Sequence, residues 1–176
     1  MTRLTCLFVA VLLAVAACSG GDGEAAANRD DPSADQAAAG EPKALDASFT
    51  YFDGREGSLA DYRGRPLVVN FFASWCVPCV KEMPGFEAVH QALGNEVAFL
   101  GLNVRDQLEN GREIAAQTGV TYDLARDPDG GFLAAMDGVV MPTTALLDAK
   151  GEIVEVHNGA LEPDELRDLV RRKLLS

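Results

Sequence analysis

The chain has 176 residues, and its 27 acidic and 15 basic side chains give a formal net charge of −12 at pH 7. This charge excludes nucleic acid and an anionic lipid surface as partners held by electrostatic attraction. Hydrophobic residues make up 48% of the chain, enough for a packed core, which excludes a wholly disordered protein. The length fits one domain with a tail.

The N-terminal segment has the pattern of an export signal. Arg3 is followed by an uninterrupted apolar run over residues 7–17, which is too short to span a bilayer but matches a signal-peptide core. The run leads into the sequence VAAC, which resembles the bacterial lipobox, where the cysteine becomes the lipidated first residue. We therefore predict a lipoprotein signal peptide over 1–17 and lipidation of Cys18, which anchors the protein to the cell membrane outside the cytoplasm. Ordinary secretory cleavage, with an incidental Cys18, is the alternative.

Residues 18–42 are predicted to form a flexible linker that begins at the lipidated cysteine. From residue 19 onward they are rich in Ala, Gly, Asp and Glu and contain no aromatic or β-branched residue. Such a segment cannot bury enough apolar surface to offset the entropy of ordering it. Processing removes Cys6 and lipidation uses Cys18, which leaves only Cys76 and Cys79 as thiols. Two cysteines at this spacing in an oxidising compartment indicate redox chemistry.

The folded domain is predicted over residues 43–176 as alternating strands and helices. Strands are predicted at 49–52, 56–59, 66–73, 97–104, 120–124, 143–147 and 152–157. Helical segments are predicted at 58–62, 76–94, 108–118, 131–136 and from 163 onward. The runs at 66–73 and 97–104 are almost continuously apolar, which is typical of strands buried on both faces of a parallel sheet. The order predicts an α/β fold with a partly parallel central sheet flanked by helices.

The sequence Trp75-Cys76-Val77-Pro78-Cys79 carries the predicted chemistry, because a strand leads into it and a helix follows it. Two thiols three residues apart on a first helical turn can form a disulfide with little backbone movement. At the helix N-terminus, unpaired N–H groups and the macrodipole favour the Cys76 thiolate, the form that attacks a partner disulfide. Cys79, more buried, then resolves the mixed disulfide. Pro78 lacks an N–H group that the first turn would leave unpaired.

The cysteine pair has two alternative interpretations without redox activity. Half of a zinc site is one, but zinc needs three or four protein ligands, and His90 and His157 lie far apart from each other in predicted regular structure. A purely structural disulfide is the other, but so short a loop removes little chain entropy and would stabilise the fold weakly. Redox exchange is therefore the favoured interpretation, and no metal site is predicted.

Two sequence signatures resemble those of a known family. The sequence VVNFFASWCVPC at residues 68–79, with EMP at 82–84, resembles the TlpA and ResA type of membrane-anchored, thioredoxin-like thiol–disulfide oxidoreductases of bacteria. The sequence VMPTT at residues 140–144 resembles the second signature of the same family. The resemblance covers residues 45–176. It implies a thioredoxin-like fold with a mixed central sheet, an N-terminal β-hairpin extension and a central insert at 105–127.

The resemblance also implies roles for individual residues around the cysteines. Pro142 matches the family's cis-proline, which lies opposite the disulfide, whereas without this context a proline before a strand would be expected to be trans. The backbone of Met141 would then pair with a bound substrate strand. Trp75 would pack beside Cys76 as part of the surface on which substrates dock.

An acidic residue in the insert is the last expectation for the site. Relatives of the ResA type often carry an acid near the active site, and Asp106 occupies about that place. It would relay protons or raise a cysteine pKa by like charge, and a solvated loop acid is the alternative. Lys81 and Glu82, just after the cysteine pair, are expected on a solvated helix face.

The resemblance implies a membrane-anchored oxidoreductase that reduces disulfides in exported client proteins, with apocytochrome c as a candidate client. A membrane thiol transporter of the CcdA or DsbD kind would supply its electrons. No cofactor is expected, since the disulfide itself carries the electrons. Two alternatives remain open, a non-catalytic binding lipoprotein with the same fold and an oxidant that forms disulfides.

Overall fold

The computed structural model of the chain describes residues 47–176. The predicted signal peptide, Cys18 and the linker at 18–42 therefore lie outside the described residues. The strands are β1 (Ser48–Thr50), β2 (Glu56–Ser58), β3 (Leu67–Phe72), β4 (Ala98–Val104), β5 (Asp123–Asp127), β6 (Thr143–Leu147) and β7 (Ile153–Asn158). The helices are α1 (Val77–Leu93), α2 (Leu108–Thr118), α3 (Gly131–Ala135) and α4 (Pro163–Leu174), with a 3₁₀ helix at Leu59–Tyr62.

A five-stranded mixed sheet with the order β5-β4-β3-β6-β7 forms the centre of the fold. Strands β3, β4 and β5 run parallel, while β6 and β7 are antiparallel to their neighbours. The separate hairpin of β1 and β2 lies along the outer edge of β5, where the N–H group of Phe52 donates to the carbonyl of Leu124 at 2.8 Å. The expected mixed sheet, flanking helices and N-terminal hairpin are thus confirmed.

The side chains of β3 alternate between two layers of the core. Leu67, Val69 and Phe71 face the layer that contains the N-terminal hairpin, and Val68 faces the layer of α1 and α4. All six residues of β3 are buried, because both faces of the sheet are covered. Alternation places Asn70 on the same face as Val68, toward α1, where a buried polar side chain needs a partner.

The predicted insert at 105–127 forms α2 and β5, but the position of its strand was wrong. A strand was expected at 120–124, whereas β5 spans Asp123–Asp127 and begins where Asp123 pairs with Leu100. The apolar side chains of Val120 and Tyr122 pack into the α1 layer from the connection that precedes the strand. Tertiary packing, and not strand pairing, therefore accounts for the apolar signal there.

Helix α1 continues across Pro84 as far as Leu93. Its N-cap is Cys76, so the cysteine pair spans the N-cap and the first turn, as expected. Among residues 47–176, no helix combines the length and the apolar character needed to cross a bilayer.

Candidate active site

The cysteine pair lies in the turn that joins β3 to α1. After β3, the N–H group of Cys76 donates to the carbonyl of Ala73 at 3.1 Å, which closes a four-residue turn. Cys76 then has extended backbone angles, as an N-cap residue requires, and Pro78 lies in the first turn of the helix. The sheet and the helix thus fix the backbone on both sides of the two sulfurs.

Cys76 and Cys79 form a disulfide, and their Cα atoms are 5.3 Å apart. The N–H group of Cys79 donates to Sγ of Cys76 at 3.3 Å, so a helix N-terminal donor points at this sulfur. Cys76 is 5% exposed and Cys79 is fully buried. Of the two sulfurs, that of Cys76 is therefore the one that a partner can reach, and the helix N-terminus stabilises negative charge on it.

The second signature lies beside the cysteines, as the family resemblance implies. The peptide bond between Met141 and Pro142 is cis, and the side chain of Met141 packs against the buried cluster that contains both cysteines. Asn158 holds the preceding loop, because its Oδ1 accepts from the N–H group of Val139 at 3.0 Å and from Oγ1 of Thr143 at 2.9 Å. Because Asn158 is the last residue of β7, these two hydrogen bonds fix the loop to that strand.

Exposed apolar side chains lie in the cysteine turn and in the loop before the cis-proline, whose Met141 packs against the cysteine cluster. They are Trp75, Val77, Val139 and Val140, which are exposed by 57%, 62%, 78% and 51% of their areas. The first two flank Cys76, and the other two precede the cis-proline. Large apolar side chains that remain exposed next to a reactive group indicate a surface that binds another molecule.

Glu82 is not on a solvated helix face, so that expectation was wrong. The residue is 7% exposed, and its side chain lies between α1 and the sheet. Its Oε1 accepts from Nδ2 of Asn70 at 2.9 Å, and its Oε2 accepts from the N–H group of Leu161 at 3.1 Å. Burial raises the pKa of Glu82 to about 7, although the bonds from Leu161 and Asn70 oppose the shift. Lys81 is exposed, as expected.

Asp106 lies at the carboxyl end of β4, beside the turn that leads to Cys76. Its carboxylate accepts from the N–H group of Ser74 at 2.6 Å and from Oγ of Ser74 at 3.0 Å. Nδ2 of Asn103 and the N–H group of Gln107 donate to it as well, at 3.0 and 2.8 Å. Burial raises the pKa of Asp106, but these hydrogen bonds outweigh it and lower the pKa overall. Its place near the site was anticipated, and its partners were not.

Sequence reasoning missed Asn70, Glu82 and Asn158 as parts of the site. One signal was available, since Asn70 is the only polar residue in the apolar run of β3. A lone amide in a strand buried on both faces requires a hydrogen-bonding partner, and α1 is the element that follows. Within residues 47–176, no group of three or more His, Cys, Asp or Glu side chains is arranged to hold a metal ion.

Comparison with known proteins gives the site a family context. The redoxin family model matches residues 38–171. The thiol-disulfide oxidoreductase ResA of Geobacillus thermodenitrificans is 31% identical over 125 residues, which cover 70% of this chain and 72% of the relative.

Solved structures agree in fold. DsbF of Mycobacterium tuberculosis, solved in mixed oxidised and reduced forms, superposes with a TM-score of 0.69 at 29% identity and covers 74% of this chain and 97% of its own. An exposed lipoprotein thioredoxin of Streptococcus pneumoniae superposes with a TM-score of 0.61 at 25% identity, covering 72% of this chain and 98% of its own. The chain therefore belongs to the redoxin family and is a thioredoxin-like thiol–disulfide oxidoreductase of the ResA type.

Proposed function

We propose that this protein is a membrane-anchored reductant of disulfides in exported proteins, with Cys76 as the attacking and Cys79 as the resolving residue. One observation carries the proposal, namely the Cys76–Cys79 disulfide at the N-terminus of α1, with a backbone N–H group directed at Sγ of Cys76. This geometry favours the thiolate on the sulfur that a client can reach. It does not favour a thiolate on the fully buried Cys79.

The proposed reaction transfers two electrons from the dithiol to a client disulfide. The Cys76 thiolate attacks one client sulfur, the client S–S bond breaks, and the departing client thiolate takes up a proton. Cys79 then loses its proton and attacks Sγ of Cys76, which releases the second client thiolate and forms the protein's own disulfide. The client is reduced, and the protein ends in the oxidised state that the structure shows.

Glu82 is suited to assist the second step. It follows Cys79 by three residues on α1, and therefore lies on the same side of the helix. Its pKa of about 7 allows it to take up or release a proton near neutral pH. We assign it the role of proton acceptor for the Cys79 thiol, directly or through a water molecule.

The apolar surface of Trp75, Val77, Val139 and Val140 supplies the proposed client site. An extended client segment would pair with the backbone of Met141, next to the cis-proline, with its disulfide against Cys76. Main-chain pairing gives affinity with little dependence on client sequence, and the exposed valines contribute apolar contacts on either side. A reductant that serves several exported proteins needs such limited selectivity.

We further propose an extracytoplasmic location through lipidation of Cys18. The support is the apolar run at 7–17 followed by the sequence VAAC, together with the S. pneumoniae relative, which is described as an exposed lipoprotein. The linker at 18–42 would hold the domain away from the membrane surface. The proposed electron donor is a membrane thiol transporter of the CcdA or DsbD kind, and apocytochrome c is a candidate client.

The direction of electron flow can be tested by measuring the reduction potential of the Cys76–Cys79 pair against glutathione or dithiothreitol. A reductant is expected to have a potential between about −200 and −270 mV. A potential near about −120 mV would identify an oxidant that forms disulfides instead. A Cys76 thiol pKa of about 8.5 or higher, measured by alkylation across pH, would contradict the assignment of Cys76 as the attacking residue.

A further inference from the structure

The turn between β3 and α1 leaves the N–H group of Ser74 without a partner inside the turn. The bond from the N–H group of Cys76 to the carbonyl of Ala73 makes Ser74 and Trp75 the two central residues. The N–H group of the first central residue has no acceptor within such a turn. A partly buried amide of this kind is costly to leave unpaired, so an acceptor must come from elsewhere in the fold.

Asp106 supplies that acceptor from the segment that follows the neighbouring strand β4. In the parallel register, Phe72 lies opposite Asn103, so the segments that follow β3 and β4 leave the sheet side by side. Oδ2 of Asp106 accepts from the Ser74 N–H group at 2.6 Å, and Oδ1 accepts from Oγ of Ser74 at 3.0 Å. Hydrogen bonds to an ionised carboxylate are stronger than those to a neutral acceptor. The backbone nitrogen and the hydroxyl of Ser74 are therefore both firmly held.

The carboxylate of Asp106 is itself held in place. Nδ2 of Asn103 donates to Oδ2 at 3.0 Å, and the N–H group of Gln107 donates to Oδ1 at 2.8 Å. Oδ2 thus accepts two hydrogen bonds, and Oδ1 accepts two and a longer one of 3.5 Å from Nδ2 of Asn110. A carboxylate that is fully engaged and keeps a low pKa does not carry a proton to exchange near neutral pH. This arrangement fits a structural support and does not fit a proton relay.

The residue before Asp106 contacts the tryptophan of the same turn. Arg105 has a positive φ of 48°, unusual for a residue other than glycine, and its Nε donates to the carbonyl of Asp129 at 2.9 Å. Its own carbonyl accepts from Nε1 of Trp75 at 3.4 Å. The segment of Arg105 and Asp106 therefore binds the turn at two points, the Ser74 backbone and the Trp75 side chain.

We propose that Asp106 is a positioning residue that acts through Ser74 to hold the Trp75 side chain beside Cys76, and thereby sets the affinity for protein clients. The inference deepens the proposed function and depends on it. Trp75 is 57% exposed, so packing alone restricts it little. Fixing it before binding removes an ordering cost that each client would otherwise have to offset.

The test compares Asp106→Ala with Asp106→Asn. Both variants remove the same charge, but asparagine retains one oxygen for the Ser74 amide, whereas alanine retains none. In single-turnover reduction of insulin by the reduced protein, we expect Asp106→Ala to raise the half-saturating insulin concentration about tenfold, with a smaller change in the limiting rate. Asp106→Asn should fall between the wild type and Asp106→Ala. A purely electrostatic role would instead give equal effects in the two variants.

Trp75 provides an independent readout, because it is the only tryptophan in the chain. We expect its fluorescence to be quenched more strongly by iodide, and its anisotropy to fall, in Asp106→Ala, with an intermediate change in Asp106→Asn. Unchanged fluorescence and unchanged insulin affinity in Asp106→Ala would overturn the proposal. So would a Cys76 thiol pKa that falls equally in both variants while the insulin affinity stays the same.

A mutant cycle with Trp75→Ala separates positioning from general loss of structure. If Asp106 acts through Trp75, its replacement should have little further effect on insulin affinity once Trp75 is alanine. Full additivity of the two changes would refute this route. The cycle can use Asp106→Asn if Asp106→Ala does not fold, as judged by circular dichroism. Failure of the proposed function would appear differently, as a wild-type protein that does not reduce insulin while the fluorescence differences persist.

Discussion

Replacing Glu82 with glutamine tests whether its buried carboxyl group, between α1 and the sheet, has a raised pKa. Glutamine has nearly the same shape, so the change removes the ionisable group without opening a cavity. Its carbonyl oxygen can accept from the Leu161 N–H group, as Oε2 of Glu82 does. Its NH₂ group would then face Asn70, whose Oδ1 is buried and unpartnered among the described residues. Rotation of the Asn70 amide would turn that oxygen into the acceptor, so both contacts can be kept.

The expected effect is on the pH dependence of stability. The pKa of Glu82 rises from an ordinary 4.5 to about 7 on folding, which corresponds to about 3 kcal/mol. Between these values the folded state binds more protons than the unfolded state, so this group makes the wild type less stable as pH rises from 4.5 through 7. Most of the effect, about 2 to 3 kcal/mol, falls between about pH 5 and pH 8.

The assay is urea denaturation of the oxidised protein at pH 5 and pH 8. The disulfide prevents the cysteines from titrating, so they do not contribute to the pH dependence. Relative to the wild type, Glu82→Gln should gain about 2 to 3 kcal/mol between the two pH values. Glu87→Gln is the matched control on the same helix. Burial raises the pKa of Glu87, but bonds from Gln91 and Thr121 outweigh it and lower the pKa overall.

Folding shifts the pKa of the control residue Glu87 in the opposite direction to that of Glu82. A carboxyl with a lowered pKa stabilises the fold above its ordinary pKa and loses that contribution only as pH falls toward its folded value. Glu87→Gln should therefore change stability by the same amount at pH 5 and pH 8. If the free energy of unfolding changes equally with pH in Glu82→Gln and in the wild type, folding does not raise the pKa of Glu82. Its assignment as a proton acceptor near neutral pH is then wrong.

Three further predictions follow from the site, the N-terminus and the packing of the helices. Cys79→Ser should trap a mixed disulfide between Cys76 and a client on a non-reducing gel, and a variant without Cys76 should not. Cys18→Ser should move the full chain from the membrane to the soluble fraction of an expressing bacterium, and continued membrane retention would contradict lipidation. Gly85→Ala would bring a Cβ atom within 2.7 Å of Cγ of Pro163. We expect it to destabilise the protein by about 1 to 3 kcal/mol in urea, although alanine usually favours helix; a stabilised variant would show that α4 can move aside.

The buried strands were predictable because their burial is uniform. Every residue of β3 and of β4 is buried, so the sequence shows an almost continuous apolar run with no alternation. Strand β5 lacks such a run, since its sequence is DLARD and its outer edge is covered by the N-terminal hairpin. Its pairing with β4 depends on the register of the whole sheet, which local pattern does not contain.

The partners of the acidic residues could not be predicted for a related reason. Glu82 is bound by an amide 12 positions earlier and by a backbone N–H group 79 positions later. Its spacing of three from Cys79 and four from Phe86 places it on the buried face of the helix, but a charged side chain next to Lys81 is typical of a solvated face. Asp106 was placed near the site by family resemblance, but its hydrogen bond to a backbone amide depends on how two loops leave the sheet together.

The long separation between Glu82 and Leu161 has a consequence for how the chain folds as it is synthesised. A chain that emerges with its N-terminus first exposes Cys76 and Cys79 well before Leu161 is available to bond the carboxylate. Until the C-terminal part has folded, the two cysteines are thiols without the buried carboxylate of Glu82 beside them, and they react as cysteines of an unfolded chain do. In the proposed mechanism, Glu82 can therefore accept the proton of Cys79 only after the segment at Leu161 has folded against α1.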